Sequence, residues 1–239
     1  MLIETVPPTG EIVDPETDAG AARLRELYAL PGPEYVRLNM ITSLTGAAVG
    51  ADGTSETLTS PVDRRILGVI RAAANVVLVG AQTVRAEGYV VPRRTRLAIL
   101  TSSGELDGHR LRLSSAEERD RVLVLAPAAS ADAVRTRVGP SDLRVVPVEG
   151  DAHPAPSAVV AALHSEGLSR IVCEGGPSLA TQFAAAGAVD EYCITVAPVL
   201  EPAVHPFLRL EPGRAPRTRV VGQLADDTGF TFLRLRPSA

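Results

Sequence analysis

The 239-residue chain contains no lysine; all 24 of its basic residues are arginine. That absence removes the Walker A phosphate loop, whose lysine reaches the β- and γ-phosphates. It also removes Schiff-base and pyridoxal chemistry, which need a lysine amine. Cysteine is scarce as well. Cys173 and Cys193 are the only two, and both fall in apolar strand-like runs. They read as buried free thiols rather than a disulfide. The four histidines, His109, His153, His164 and His205, are far apart, with no HExxH pattern, so no metal site is expected. The His-x-Glu and Pro-Cys-x-x-Cys signature of zinc deaminases is missing too. No apolar run reaches the roughly 18 residues of a membrane span. The first residues show neither the basic nor the apolar region of a signal peptide, so a cytoplasmic protein is expected. A formal net charge of −4 argues against nucleic acid as the main partner.

What is present is an alternation of short β-branched runs and small amphipathic helices. Residues 1–17, rich in Pro, Thr and Glu, are expected to form a mobile arm. Asp18 is expected to cap a helix through Leu30, stopped by Pro31 and Gly32. Strands are expected at Tyr35–Thr42, Val76–Val79, Leu97–Thr101, Arg121–Ala126 and Leu143–Val148. Ser60 caps a helix with Pro61 at its first position, running to about Ala74. Further helices are expected at Ala81–Ala86 and Ala131–Val138, and one capped by Ser157 closes at Gly167. Ile171 and Val172 begin one more strand–helix unit, which Gly187 stops. Strands then follow at Tyr192–Val199, Thr218–Leu224 and Phe230–Arg236. This order predicts an α/β fold: a mostly parallel sheet with helices on both faces. Ala225-Asp226-Asp227-Thr228-Gly229 predicts an antiparallel hairpin at the sheet edge.

The most informative stretch is Glu174-Gly175-Gly176-Pro177-Ser178, where a strand ends in glycines and a helix opens. Free backbone N–H groups and the positive end of a helix dipole meet there, which suits a phosphate or pyrophosphate. The glycines let a bulky anion approach the main chain. The dinucleotide fingerprint G-x-G-x-x-G is missing. Val79-Gly80-Ala81 and Thr101-Ser102-Ser103-Gly104 are two further turns at strand ends, and the three would line one crevice. A different reading is a serine hydrolase on Ser178, with Asp190 and His205 following in chain order. Pro177 fits the strained nucleophile elbow poorly, and Ala180 stands where its last glycine belongs.

Five ordered pieces carry a resemblance. They are Leu38-Asn39-Met40-Ile41-Thr42-Ser43-Leu44-Thr45-Gly46; Thr59-Ser60-Pro61 with Arg64, Arg65 and Arg71; Val77 through Glu87; Glu174 through Leu179; and Gly187-Ala188-Val189-Asp190-Glu191 with Ala197-Pro198. Residues 35–236 resemble the reductase domain of bacterial riboflavin biosynthesis, and Leu27-Tyr28-Ala29-Leu30-Pro31 resembles its stand-alone actinobacterial members. The resemblance implies a dihydrofolate-reductase-like three-layer fold with residues 35–239 as the reductase domain and 1–34 as an arm and short helix. With about 34 residues ahead of the matching part, no deaminase domain is expected before it. It implies NADPH as cofactor, a homodimer, and reduction of a ribosylamino pyrimidine phosphate to its ribitylamino form by hydride transfer to C1′ of the opened sugar.

By the same resemblance, Thr42, Thr57, Thr83 and Glu87 would line the nicotinamide and ribose. Gly80 would sit beside them, and Gly175, Gly176, Pro177, Ser178, Leu179, Ala180 and Thr181 would hold the pyrophosphate. Ser102 would lie near the adenosine ribose and its 2′-phosphate. Ser55, Arg71, Val91, Arg94 and Glu174 would face the substrate, with Glu174 as the catalytic candidate accepting bonds from sugar hydroxyls. Arg71 would fork onto the substrate phosphate. Plainer accounts exist: an arginine-bearing helix presenting a solvated face, and Thr83 with Glu87 as a cap or surface pair. Two positions depart from the family. Thr45 replaces the aspartate of its Ser-Leu-Asp-Gly, and Asn39 stands where many bifunctional enzymes have lysine. The departures leave room for a pterin-type substrate, or for a nucleotide-binding module without turnover.

Overall fold

The computed structural model describes residues 3–5, 11–87, 89–106, 111, 113, 115–139, 143–213 and 215–238; His109 lies outside them. Two short strands, β1 (Ile3–Thr5) and β2 (Ile12–Val13), precede helix α1 (Asp18–Leu27) and strand β3 (Tyr35–Ser43). Helix α2 (Pro61–Ala73), β4 (Val76–Gly80), α3 (Ala81–Ala86) and β5 (Arg96–Leu100) follow. Then come α4 (Ala116–Asp120), β6 (Val122–Pro127), α5 (Ala131–Val138), β7 (Arg144–Val148), α6 (Pro156–Ser165), β8 (Arg170–Cys173) and α7 (Pro177–Ala185). Strands β9 (Glu191–Ala197), β10 (Thr218–Asp226) and β11 (Thr231–Pro237) complete the chain.

All eleven strands form one sheet in the order β2-β1-β10-β11-β9-β3-β8-β4-β5-β6-β7. The seven from β9 to β7 are parallel to one another; β11, β10, β1 and β2 add antiparallel pairs. The parallel strands read as continuous apolar runs because both faces are covered. Successive residues of β4 show how. Val77 and Val79 pack toward Val62, Ile66 and Ile70 of α2, while Val76 and Leu78 pack toward Leu163 of α6 and Phe183 of α7. Each fully buried aliphatic side chain contributes about 1.5–3 kcal/mol, so these two layers clamp the sheet between helices.

Local signals explain most helix ends. The Ser60 hydroxyl accepts the Asp63 N–H, and Pro61 supplies a preset φ at the first turn. Gly187, at φ +65°, takes the left-handed conformation just past α7. The expected hairpin forms: Asp226 Oδ1 accepts the N–H groups of Thr228 and Phe230. Four details differ. Thr17, not Asp18, caps α1 by accepting the Gly20 N–H, and the helix ends at Leu27. Ala155 occupies the cap position of α6 without a side-chain bond, and Ser157 lies inside the first turn. The polar segment before β6 forms α4, capped by Ser115. Residues 3–5 and 12–13, expected within a mobile arm, pair onto β10 and onto each other, so the hairpin is not the edge.

Candidate active site

The C-terminal ends of β3, β4, β5 and β8 lie on one edge of the parallel sheet, where open α/β sheets bind ligands. A cleft of about 1330 Å³ opens there. Strand β3 contributes Asn39, Met40 and Ile41. Helix α2 contributes Asp63, Leu67 and Arg71, four residues apart and therefore on one helical face. The neighbouring stripe of Val62, Ile66 and Ile70 goes into the core.

Across the cleft stands the glycine turn. Glu174 N–H donates to Leu78 O at 2.9 Å, and Gly80 N–H donates to Gly175 O at 2.8 Å. Gly176 N–H donates to Thr83 Oγ1 at 2.8 Å. The β4–α3 and β8–α7 turns are thus bonded to each other directly. Gly175 has φ +78°, and a cis peptide joins it to Gly176. A Cβ on Gly175 would lie 2.7 Å from Met40 Sδ, and one on Gly176 would lie 2.8 Å from Thr83 Oγ1. Pro177 then opens α7, and the first turn leaves the Ser178 and Leu179 N–H groups without an acceptor inside the helix. They combine with the helix dipole into an anion-binding end.

The third part is a coupled trio. Arg71 Nε and Nη2 donate to the two Glu174 carboxylate oxygens at 2.7 and 2.6 Å. Tyr89 OH also donates to Glu174, and Arg71 Nη2 reaches Tyr89 OH at 3.2 Å. The guanidinium lies over the Tyr89 ring, 5.5 Å from its centre. Burial disfavours the Arg71 charge, but the bonds and charge of Glu174 outweigh it and hold its pKa above the usual range. Burial and the Glu174 charge push the Tyr89 phenol well above its ordinary value. The trio is therefore a carboxylate fixed by a cation and a neutral phenol. The Arg71 fork, expected to be open for a phosphate, is closed on Glu174.

Of the expected residues, Gly80, Thr83, Glu87, Ser102, Gly176, Pro177, Ser178 and Leu179 line the cleft, as do Ser55, Arg71 and Glu174. Glu87 Oε1 accepts the Ser55 N–H at 3.3 Å, joining the loop after β3 to the end of α3. The others lie outside the lining. Thr42 is buried, its hydroxyl donating to Ser43 O. Thr57 donates to Asp52 Oδ1 inside the loop. Gly175 supports the turn from behind, and Ala180 and Val91 are core residues. Thr181 donates to Pro177 O and accepts Arg209 N–H. Arg94 is exposed outside the cleft. Tyr89 and Asp63 line the cleft without having been singled out. The four-residue steps from Asp63 through Leu67 to Arg71 were the one available signal; nothing local marks Tyr89. Thr45 also finds an explanation. Its hydroxyl donates to Glu201 O and bonds Ser43 Oγ at 2.8 Å, whereas an aspartate would set a carboxylate against that carbonyl.

The hydrolase reading fails on placement. Asp190 accepts the Val36 N–H at the beginning of β3, whereas Ser178 follows the end of the parallel neighbour β8, across the sheet from the acid it would need. Gln182 is the side chain that bonds the Ser178 hydroxyl.

Comparison with known proteins agrees with this architecture. The family model described as the RibD C-terminal domain matches residues 34–228. The riboflavin biosynthesis protein RibD of Mycobacterium tuberculosis is 28% identical over 169 residues, covering 71% of this chain and 43% of that protein. The chain thus matches less than half the length of that relative. A pyrimidine reductase-like protein from Corynebacterium diphtheriae superposes with a TM-score of 0.73 at 22% identity, covering 90% of this chain and 99% of the other. Dihydrofolate reductase from Enterococcus faecalis, solved with NADP(H), gives a TM-score of 0.52 at 9% identity, covering 86% and 97%. The fold is therefore that of dihydrofolate reductase, and the chain belongs to the RibD C-terminal domain family.

Proposed function

We propose that this cleft is the active site of an NADPH-dependent reductase that converts a ribosylamino-pyrimidine phosphate to its ribitylamino form. The observation that carries the reading is the pairing of an anion-binding glycine turn with a fixed, buried carboxylate across one cleft. Its volume of about 1330 Å³ exceeds the roughly 300–1,000 Å³ of a site for one drug-sized ligand and has room for cofactor and substrate together.

The residues fit a dinucleotide. Ser178 and Leu179 N–H groups would hold the pyrophosphate, and only glycine at position 176 leaves Thr83 in place beside it. Ser102 and Ser103, with Arg85 at the same rim, would take the ribose 2′-phosphate. Bound nicotinamide would supply the hydride. Glu174 would accept hydroxyl bonds from the opened sugar through lone pairs that Arg71 and Tyr89 leave open. Arg71 and Tyr89 act as positioning residues for it. With the Arg71 fork occupied by Glu174 and Arg64 paired with Glu56, Arg209 on the cleft wall is the arginine placed to attract the substrate phosphate. Exposed Leu44, Leu200 and Val204 sit on adjoining loops, since Leu44 N–H donates to Val199 O. They offer apolar surface for the homodimer the family implies.

The test is NADPH oxidation followed by absorbance with the ribosylamino and deaminated pyrimidine phosphates and with dihydrofolate as separate substrates. Oxidation with a pyrimidine and at least tenfold weaker binding of NADH are expected. Turnover of the pterin alone would transfer the reading to that substrate, and failure to bind NADPH would overturn it. Light scattering should give twice the chain mass.

A further inference from the structure

At the end of the sheet opposite the cleft, one row of charged side chains crosses the neighbouring strands β3, β9, β11 and β10. Arg37 of β3 faces Glu191 of β9 in register, and Arg236 of β11 faces Arg219 of β10. Arg236 Nε joins the two halves by donating to Glu191 Oε2 at 3.0 Å. The row therefore reads arginine, glutamate, arginine, arginine. Arg234, two residues before Arg236 and so on the same face, adds a fourth guanidinium. Where β10 passes Arg234 it carries Gly222, so Arg219 is the β10 side chain of this cluster.

Glu191 cannot serve all four arginines. A carboxylate offers about four lone-pair sites. Oε1 accepts Arg37 Nη2 at 2.7 Å and Arg234 Nε at 3.1 Å, while Oε2 accepts Arg234 Nη2 at 2.9 Å and Arg236 Nε at 3.0 Å. Arg37 and Arg234 have further acceptors in Tyr28 O and Leu27 O. The Nη groups of Arg236 carry no bond among the described residues, and its side chain is 32% exposed. Arg219 is exposed and bonds to no other described residue. Asp190, beside Glu191 in the chain, accepts the Val36 N–H, and Glu26 of α1 is paired with Arg23. Like charges directly opposite each other on paired strands destabilise a sheet. A guanidinium cannot relieve this by losing its proton. Arg219 opposite Arg236 is thus a local conflict that a bound anion would resolve.

We propose that Arg219 and Arg236 form a phosphate-binding site, taking free phosphate or the phosphate group of a small metabolite. Guanidinium forks match phosphate oxygens in pairs. A phosphate monoester carries a charge of about −1.5 to −2 near neutral pH, which balances both open cations; a carboxylate would balance one. The site is separate from the cleft. Thr195, which bonds Asp63 there, lies four residues or about 13 Å further along β9 than Glu191. The proposal does not depend on the reductase reading, and none of its tests uses NADPH.

The experiment is thermal unfolding and titration calorimetry of the full chain and of Arg219→Gln with inorganic phosphate, against sodium chloride of equal ionic strength. Saturating phosphate should raise the wild-type midpoint by about 2–4 °C. Arg219→Gln removes the like-charge pair without touching the bonds to Glu191. Its midpoint without phosphate should equal or exceed that of the wild type, and phosphate should no longer raise it. Its calorimetric affinity for phosphate should fall by about tenfold or more. Arg219→Lys keeps the charge without the fork and should bind with intermediate affinity. Ribose 5-phosphate distinguishes the sources. Tighter binding than inorganic phosphate, lost in Arg219→Gln, identifies a phosphorylated metabolite as the ligand; equal or weaker binding identifies free phosphate. A rise shared equally by wild type and Arg219→Gln would place the effect in the cleft or in general salt exclusion and overturns the proposal. Absence of phosphate binding by the wild type overturns it as well.

Discussion

Arg71 and Glu174 are 103 positions apart in sequence and meet in a bidentate pair. The carboxylate is nearly buried and the guanidinium about a quarter exposed, so the pair lies between the negligible worth of surface bridges and the 3–5 kcal/mol lost when a fully buried one is broken. Glu174→Gln keeps the shape and removes the charge. It should cost about 2 kcal/mol in denaturant unfolding and raise the substrate KM tenfold or more, while NADPH affinity stays within threefold because the glycine turn is untouched. An equal loss of NADPH affinity would mean that Glu174 shapes the cofactor half instead. At this scale the sequence showed what depends on backbone. The turn at 174–178 was legible because glycine, proline and a following helix impose a local geometry. Tyr89 and Asp63 were not, because their significance comes from what other strands and helices bring beside them. Thr83 was legible as a site residue but not in its bonding, since its hydroxyl is taken by Gly176.

Among the elements, α2 joins folding to the site most directly. Its buried stripe fixes its rotation, and that rotation aims Asp63, Leu67 and Arg71 into the cleft. Its start is fixed by the Ser60 cap, 3.1 Å from the Asp63 N–H. Ser60→Ala should cost about 1 kcal/mol, read as a lower midpoint in urea with unchanged slope. Fraying of the first turn should also loosen Asp63 from Thr195. An unaltered midpoint would show that Thr59 and Asp63 hold the turn without the cap. Ser60-Pro61 was legible because both signals lie within the helix start itself. The cap of α1 shifted by one residue because Thr17 and Asp18 are both competent and only one can adopt the extended cap geometry. The short strands β1 and β2 were not legible. Two or three residues carry no periodicity, and their pairing with each other and with β10 is non-local.

At the scale of the whole molecule, the parallel and antiparallel halves of the sheet are joined through one carboxylate. Glu191 on β9 is fully buried and accepts from Arg37 of β3 at 2.7 Å and from Arg234 and Arg236 of β11 at 2.9 and 3.0 Å. Arg37 and Arg234 also donate to Tyr28 O and Leu27 O at the end of α1, which draws that helix onto the same point. The sequence contained Asp190-Glu191 as part of a family pattern, but three arginines from distant strands cannot be placed on it by spacing. Burial alone would raise the Glu191 pKa; bonds and charge from Arg234, Arg37 and Arg236 override it and bring it to about 2 from the ordinary 4.5. The folded value lies below the unfolded one. The stability this contributes is therefore complete above pH 4.5 and is lost as pH falls toward 2. Glu191→Gln leaves Arg37, 1% exposed, without its counter-charge and should cost about 3–5 kcal/mol. Its thermal midpoint should also fall less steeply than the wild type's below pH 4.5. Parallel curves for the two proteins through that window would show that the acid sensitivity of the fold originates at another carboxylate.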